Sequence, residues 1–247
     1  MKTLLLDIET APNVAYVWGL FKQNVALNQL EATSHTLCWS AKWLGEEEIA
    51  FRSVQKGKGG EKRMLLDIHK RLDSADAVVH FNGQKFDIPT LNKEFVKHGM
   101  RPPSPYKQID LYRVCKQAFR FESNKLAFIL RALGIGGKVA HEGFTLWVKC
   151  MKGDPEAWKR MEQYNRGDVV GLEALYKRLT PWIKNHPNVS AYRGVECCPK
   201  CGSDHFQSRG QILTTMNHYK RYQCVECGGW FRGNKTTSRA VKRMVNV

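Results

Sequence analysis

The sequence lacks any hydrophobic run long enough to span a bilayer, which takes about 18–20 apolar residues. A secretory signal is also absent from the first ten residues. Asp7 and Glu9 interrupt their leucines before an apolar stretch of about 7–15 residues can form. We therefore expect no membrane insertion and no secretion, and we expect a cytoplasmic protein. Hydrophobic residues make up 43% of the chain and charged residues 25%, proportions that indicate a folded protein rather than a disordered one.

Negative charge is scarce, because 23 Asp and Glu face 39 Lys and Arg, which gives a formal net charge of +16 and a pI near 9.6. Residues 188–247 are the most basic part, with 10 Lys or Arg against 3 Asp or Glu, a net of +7 in 60 residues. This excess favours an anionic partner such as nucleic acid, although solubility alone is an alternative reading.

Hydrophobic patterning divides the chain into two parts of different character. Strand-like runs come first, and strands then alternate with helical segments, an order that predicts an α/β domain with a mixed sheet flanked by helices. We expect a helical stretch over 108–133, interrupted near 122–124 and ended by Gly134, and a helix from Asp154-Pro155 towards Ile183. The periodicity stops near 185–188, so we predict a domain over 1–187 and a second, small domain over 188–247.

Acidic side chains stand at three separate places in the first domain. Asp7 and Glu9 are two apart on a predicted strand, hence on one face. Asp87 follows a second predicted strand, and Tyr164 precedes Asp168 by four residues on a predicted helix. Carboxylates on a buried strand are costly unless a cation lies between them, and hard divalent cations prefer oxygen ligands.

These residues in this order resemble the DEDDy subclass of the 3′→5′ exonucleases, whose motifs are D-x-E, N-x3-F-D and Y-x3-D. The stretches 124–134 and 141–147 are similar to those of stand-alone phage exonucleases related to the exonuclease domain of family B DNA polymerases. The resemblance covers about 1–183 and implies an RNase H-like fold. It also implies a cytoplasmic location in the host if the gene is phage-borne.

The resemblance further implies a two-metal mechanism with two Mg²⁺ or Mn²⁺ ions. Asp7 is expected to bridge the ions, Glu9 and Asp168 to complete one site, and Asp87 to hold the other. Tyr164 is expected to orient the attacking water rather than to act as the base, since its ordinary pKa is about 10. The implied products are nucleoside 5′-monophosphates.

The substrate is less sharply defined by the sequence. Single-stranded DNA is the first expectation, and RNA is the alternative within the enzyme class. A nucleic-acid-binding replication accessory module with a vestigial nuclease site is an alternative from another class. Because the chain contains no polymerase domain, any proofreading would act in trans with a polymerase or other replication partner.

Three further residues are candidates for substrate contacts in the first domain. Asn82 either contacts the terminal sugar or holds the turn at the end of its strand. Trp18 and Phe21 follow the strand of Asp7 and Glu9, and their rings either stack on the last base or pack internally.

Cysteine is sparse in the first 187 residues, where only Cys38, Cys115 and Cys150 occur, and dense in the second domain. There the two C-x2-C-G segments, Cys198 with Cys201 and Cys224 with Cys227, have the spacing of a tetrahedral Zn²⁺ site. This part resembles the zinc ribbons, with Cys197 as a spare. Since 60 residues have little core, zinc is expected to carry much of its folding.

Basic and aromatic residues alternate in the second domain, which suits single-stranded nucleic acid through phosphate contacts and base stacking. An alternative is that the aromatic side chains form the small core of the ribbon, which then docks to a protein. The candidate nucleic-acid contacts here are Lys220, Arg221, Trp230 and Arg232.

Overall fold

The computed structural model describes residues 1–55, 59–136 and 142–237, and divides them into two compact units. The N-terminal unit is Lys2–Tyr176, and the C-terminal unit contains the residues from Lys177 onward. The division thus falls before the predicted boundary at 187/188. His141 of the second exonuclease-like stretch and residues 238–247 of the basic tail lie outside the described residues.

A five-stranded mixed sheet forms the centre of the N-terminal unit, in the order β5-β4-β1-β6-β7. β1 pairs antiparallel with β4 and parallel with β6, while β4–β5 is antiparallel and β6–β7 parallel. The α/β class with a mixed sheet is therefore confirmed. The strands of this unit are β1 Thr3–Thr10, β2 Val14–Ala15, β3 Leu30–Ala32, β4 Thr36–Trp43, β5 Ile49–Ser53, β6 Ala77–His80 and β7 Lys107–Asp110.

Helices flank this sheet and bury its apolar side chains. The run Leu4-Leu5-Leu6 at the middle of β1 is wholly buried, as expected for a strand covered on both faces. Ile68 and Leu91 pack with Leu4 in one core, while Leu146 and Met161 belong to a second core. The helices are α1 Gly60–Asp73, α2 Asp87–Lys97, α3 Leu111–Ala118, α4 Leu126–Ala132, α5 Phe144–Met151 and α6 Pro155–Leu179.

The prediction of helix from residue 108 is wrong for its first residues. Ile109 and Asp110 instead pair with Val79 and His80 as the parallel edge strand β7. Four residues carry too little alternation to reveal such a strand in the sequence. The interruption near 122–124 lies between α3 and α4, and Gly134 ends the stretch with a φ of 65°.

The C-terminal unit contains a three-stranded antiparallel sheet in the order β10-β9-β8. The pair Cys198 and Cys201 precedes β8, and the pair Cys224 and Cys227 lies at the turn between β9 and β10. Among the described residues, no helix is both long and apolar enough to cross a membrane. The elements of this unit are α7 Val189–Arg193, β8 Phe206–Leu213, β9 His218–Cys224 and β10 Trp230–Thr236.

Candidate active site

Three of the four predicted acidic ligands come together at the end of β1. Asp7 and Glu9 lie on one face of this strand, and Asp168 approaches them from α6. One carboxylate oxygen from each of these three residues lies within 4.8 Å of a carboxylate oxygen of each of the other two. Like charges this close repel one another unless a cation intervenes, and oxygen ligands suit Mg²⁺ or Mn²⁺. The donor set therefore fits a hard divalent ion.

The fourth acid, Asp87, lies beside the cluster but outside that three-residue group. It begins α2 and is almost wholly buried, and its Oδ1 accepts a hydrogen bond of 3.2 Å from the backbone N–H of Ile8. Ile8 lies between Asp7 and Glu9, so this bond fixes Asp87 to the strand of the cluster. The pKa of Asp87 is raised to about 7, chiefly by burial and to a smaller extent by the neighbouring Asp110, while the hydrogen bond from Ile8 N–H acts in the opposite direction.

Tyr164 is buried next to Asp168, to which its hydroxyl is hydrogen-bonded. Its ring contacts that of Trp147 edge to face, with centroids 5.8 Å apart. Burial raises the pKa of Tyr164 well above its ordinary value, and the carboxylates of Asp168, Glu9 and Asp7 raise it further. The phenol is therefore neutral at physiological pH. Because it donates its proton to Asp168, its oxygen can accept a further hydrogen bond.

Asn165 is a site residue that the sequence analysis missed. Its side chain is wholly buried, and its Nδ2 donates a hydrogen bond of 2.7 Å to Oδ2 of Asp7. A second, longer contact of 3.4 Å reaches the backbone oxygen of Asp7. The only sequence signal was its place beside Tyr164, because an asparagine on a helix does not reveal which way it points.

The loop that follows β6 is held by polar contacts from β7. Asp110 caps α3 through Tyr112 N–H and also accepts a 2.8 Å hydrogen bond from Asn82 N–H. Asn82 has a φ of 64°, a conformation that few residues other than glycine adopt. His80, wholly buried, accepts a bond from Gly83 N–H at Nδ1 and contacts Gln108 through Nε2. Asn82 thus serves the strand-end turn through its backbone.

The aromatic loop after β1 is open to solvent. Trp18 is 99% exposed and Phe21 is 85% exposed, so internal packing does not account for these two rings. A separate observation is a cavity of about 340 Å³. It is lined by Thr10, Pro12, Gly143, Phe144 and Trp147. Thr10 directly follows Glu9, and Trp147 is the ring that contacts Tyr164, so the cavity adjoins the acids.

The sequence pattern of the RNase H superfamily matches residues 4–180, which is most of the chain and includes all four acids and Tyr164. The chain belongs to the RNase H superfamily. No curated protein matches it.

The RNase H fold of this chain is also similar to a solved polymerase structure. The family B DNA polymerase from the hyperthermophilic archaeon Pyrobaculum calidifontis superposes with a TM-score of 0.52 and 17% identity. The match covers 73% of this chain and 24% of the polymerase chain, so the chain spans about a quarter of that protein's length. At 17% identity, this similarity shows a shared fold only.

Outside the RNase H-like unit, four cysteines form a second group of potential metal ligands. The sulfurs of Cys198, Cys201, Cys224 and Cys227 all lie within 4.8 Å of one another. Those of Cys198 and Cys227 are 3.8 Å apart, and those of Cys201 and Cys224 are 3.6 Å apart. Tetrahedral zinc with Zn–S bonds of about 2.3 Å separates its sulfurs by about 3.8 Å. The four thiols therefore fit zinc.

The sheet beside these cysteines has two different faces. On one face, the guanidinium carbon of Arg221 lies 4.9 Å from the ring centre of Trp230, and that of Arg232 lies 3.9 Å from the ring centre of Tyr219. Lys220, between Tyr219 and Arg221 on β9, belongs to the opposite face. Three of the four candidate contacts are therefore brought together, and Lys220 is separated from them.

The opposite face holds the aromatic cluster of this unit. Phe206, Tyr222 and Phe231 contact one another, with ring centroids 5.3–5.6 Å apart. The alternative reading, in which the aromatic residues build the core of the small unit, thus applies to these three. It does not apply to Trp230, whose ring is about half exposed under Arg221.

Proposed function

We propose that the protein is a metal-dependent 3′→5′ exonuclease of the DEDDy type that releases nucleoside 5′-monophosphates from a free 3′ end. Membership in the RNase H superfamily supports a nuclease activity in general. The observation that carries the finer proposal is the convergence of Asp7, Glu9 and Asp168, with Tyr164 hydrogen-bonded to Asp168. This convergence brings the D-x-E motif and the Y-x3-D motif of that subclass together in one site.

In this proposal the acids hold two Mg²⁺ or Mn²⁺ ions. By the resemblance, Asp7 would serve both ions, Glu9 and Asp168 would complete one site, and Asp87 would serve the other. Such ions supply an activated water and neutralise the charge that develops on the phosphodiester. The protein contributes fixed carboxylates, since Asp7 and Asp87 are each held by a hydrogen bond.

Tyr164 is best suited to orienting the attacking water. A phenol whose pKa is raised by burial and by three nearby carboxylates is a poor base. Its neutral hydroxyl donates its proton to the Asp168 carboxylate, so the phenol oxygen can accept one hydrogen bond from a water at the cluster. Packing of Trp147 against the ring keeps the hydroxyl in place.

The surface around the acids offers an apolar cavity and exposed aromatic rings for substrate binding. The apolar cavity lined by Phe144 and Trp147 is suited to the terminal base, and the exposed rings of Trp18 and Phe21 are suited to stacking on neighbouring unpaired bases. Stacking needs splayed bases, which favours single strands over duplexes. Single-stranded DNA is the first candidate and RNA the second.

The C-terminal unit is proposed to be a zinc ribbon that binds the nucleic-acid strand. One Zn²⁺ held by the four cysteines would stabilise the short sheet. The stacked pairs Arg221–Trp230 and Arg232–Tyr219 place two cations and two rings on one face. Such a face can contact phosphates and bases together. Lys220 contributes charge from the other face.

A digestion assay with end-labelled strands tests the activity. A single-stranded DNA labelled at the 5′ end should give a descending ladder with Mg²⁺ or Mn²⁺ and no products with EDTA, and a 3′-phosphate should slow the reaction. The same assay with RNA decides between the two substrates. Rapid cleavage of circular single strands would contradict an exonuclease, because they have no end.

The alternative of a binding module without activity is disfavoured by the complete set of acids. It remains an outcome of the same assay: metal-independent strand binding with no hydrolysis would support it. Action together with a DNA polymerase is proposed on the similarity of the fold to part of a family B DNA polymerase, and co-purification with a polymerase would test it.

A further inference from the structure

Asn165 is a buried residue of α6 that is hydrogen-bonded to one acid of the cluster. It is wholly buried on α6, between Tyr164 and the turn that carries Asp168. Its amide nitrogen lies 2.7 Å from Oδ2 of Asp7 and 3.4 Å from the backbone oxygen of the same residue. One buried side chain therefore binds both the carboxylate and the backbone of a single acid.

The other end of this amide has no such partner. Among the described residues, Oδ1 of Asn165 is buried and accepts no hydrogen bond. A buried acceptor without a donor is unfavourable for folding, so an apolar side chain of similar size would suit the fold at least as well. The buried amide of Asn165 therefore has an unfavourable contribution to folding from Oδ1, and its hydrogen bonds are made to Asp7 through Nδ2.

We propose that Asn165 is a positioning residue that holds the Asp7 carboxylate in the orientation required for metal binding. The proposal rests on the proposed two-metal site. The amide hydrogen bond fixes Oδ2 and so limits rotation of the carboxylate. It also donates to a negative group that lies close to Glu9 and Asp168, and so offsets part of their mutual repulsion.

Groups that hydrogen-bond to metal ligands generally orient those ligands for binding. A ligand with a free torsion loses conformational freedom when it binds an ion, and a hydrogen bond that fixes the ligand beforehand removes that cost. Loss of such a partner typically lowers metal affinity or activity by about 10–100-fold. Asn165 is suited to this role because its helix also carries Asp168.

The test measures Mn²⁺ affinity directly, by electron paramagnetic resonance titration of free Mn²⁺, without any substrate. Asn165→Leu keeps roughly the size of the side chain and removes the amide, and Asn165→Ala removes the whole group. Both should bind Mn²⁺ about 10-fold more weakly or worse. The midpoint of thermal unfolding of the metal-free Asn165→Leu protein should stay close to that of the wild type.

Leu172→Ala is the matched control, since Leu172 is a buried residue of the same helix outside the acid cluster. It should lower the unfolding midpoint and leave Mn²⁺ affinity unchanged. Wild-type Mn²⁺ affinity in the Asn165→Leu protein would overturn the positioning role, while the two-metal site would stand. If the wild-type protein itself bound no Mn²⁺, the proposed function would fail first.

Discussion

Tyr164 illustrates how the surroundings of one residue decide its chemistry. The sequence places it four residues before Asp168 but does not reveal that the hydroxyl is buried and hydrogen-bonded to that carboxylate. The raised pKa follows from those contacts, and it separates a group that orients water from a group that removes a proton. The role of orienting a water therefore stays a prediction, which a substitution of the hydroxyl can test.

Tyr164→Phe is therefore expected to reduce hydrolysis without abolishing it. The substitution keeps the ring that packs on Trp147 and removes only the hydroxyl. Because the role is to orient a water, the loss should be about 100-fold or less, at the low end for groups of this kind. Single-turnover rates on a short oligonucleotide would measure it. A loss as complete as that of Asp7→Ala would contradict the orienting role.

Asp87 should make the stability of the metal-free protein depend on pH. The folded state holds its proton up to a pKa of about 7, whereas the unfolded state releases it near 3.8. Unfolding between these values therefore releases a proton, so the free energy of unfolding falls as pH rises, by up to about 1.4 kcal/mol per pH unit. Thermal unfolding in EDTA from pH 5 to 8 should show the decline, and Asp87→Asn should reduce it. Parallel profiles for the two proteins would refute the assignment.

At the scale of elements, the sequence predicted long or strongly patterned segments better than short ones. The leucine run of β1 and the helix from Asp154-Pro155 were clear, and both elements are present as β1 and α6. The short strand β7 was taken for the start of a helix because it has only four residues. Partners distant in sequence, such as Asn165 and Asp7, leave no local pattern at all.

The division of side chains between the two faces of the C-terminal sheet also could not be predicted from composition. Alternation along β9 separates Lys220 from Arg221, which a count of basic residues cannot anticipate. The pairing of Arg232 with Arg221 across β9 and β10 places two cations side by side, and each is covered by an aromatic ring. This arrangement depends on the register of the strands.

At the scale of the whole molecule, the uneven charge predicts how strand binding responds to salt. Basic groups of the C-terminal unit should displace counterions from the nucleic acid, so affinity should fall with salt with a slope of roughly −0.7 per neutralised phosphate on single strands. Cys224→Ser removes one of the four proposed zinc ligands and should unfold the small unit. The variant should show a weaker salt dependence on long oligonucleotides and still cut very short ones.

Fluorescence anisotropy at several salt concentrations would measure both slopes, with Cys115→Ser as the control cysteine variant, since Cys115 lies on α3 far from the four thiols in sequence. Equal slopes for the wild type and Cys224→Ser would remove nucleic acid as the partner of the C-terminal unit. Docking to a protein would then be the better account of its surface.

The most direct test of the central claim is hydrolysis by proteins that lack one acid of the cluster. Asp7→Ala and Asp168→Ala each remove a proposed metal ligand and relieve repulsion among the three carboxylates. Each also removes the hydrogen-bond partner of a buried group, the Asn165 amide or the Tyr164 hydroxyl, so the two effects oppose each other and both proteins should stay folded with an unfolding temperature close to that of the wild type. Glu162→Ala, on the same helix as Asp168, is the control that should stay active. With 5′-labelled single strands and Mg²⁺ or Mn²⁺, the account predicts no ladder from either aspartate variant. Wild-type turnover by a folded Asp7→Ala or Asp168→Ala protein would contradict it.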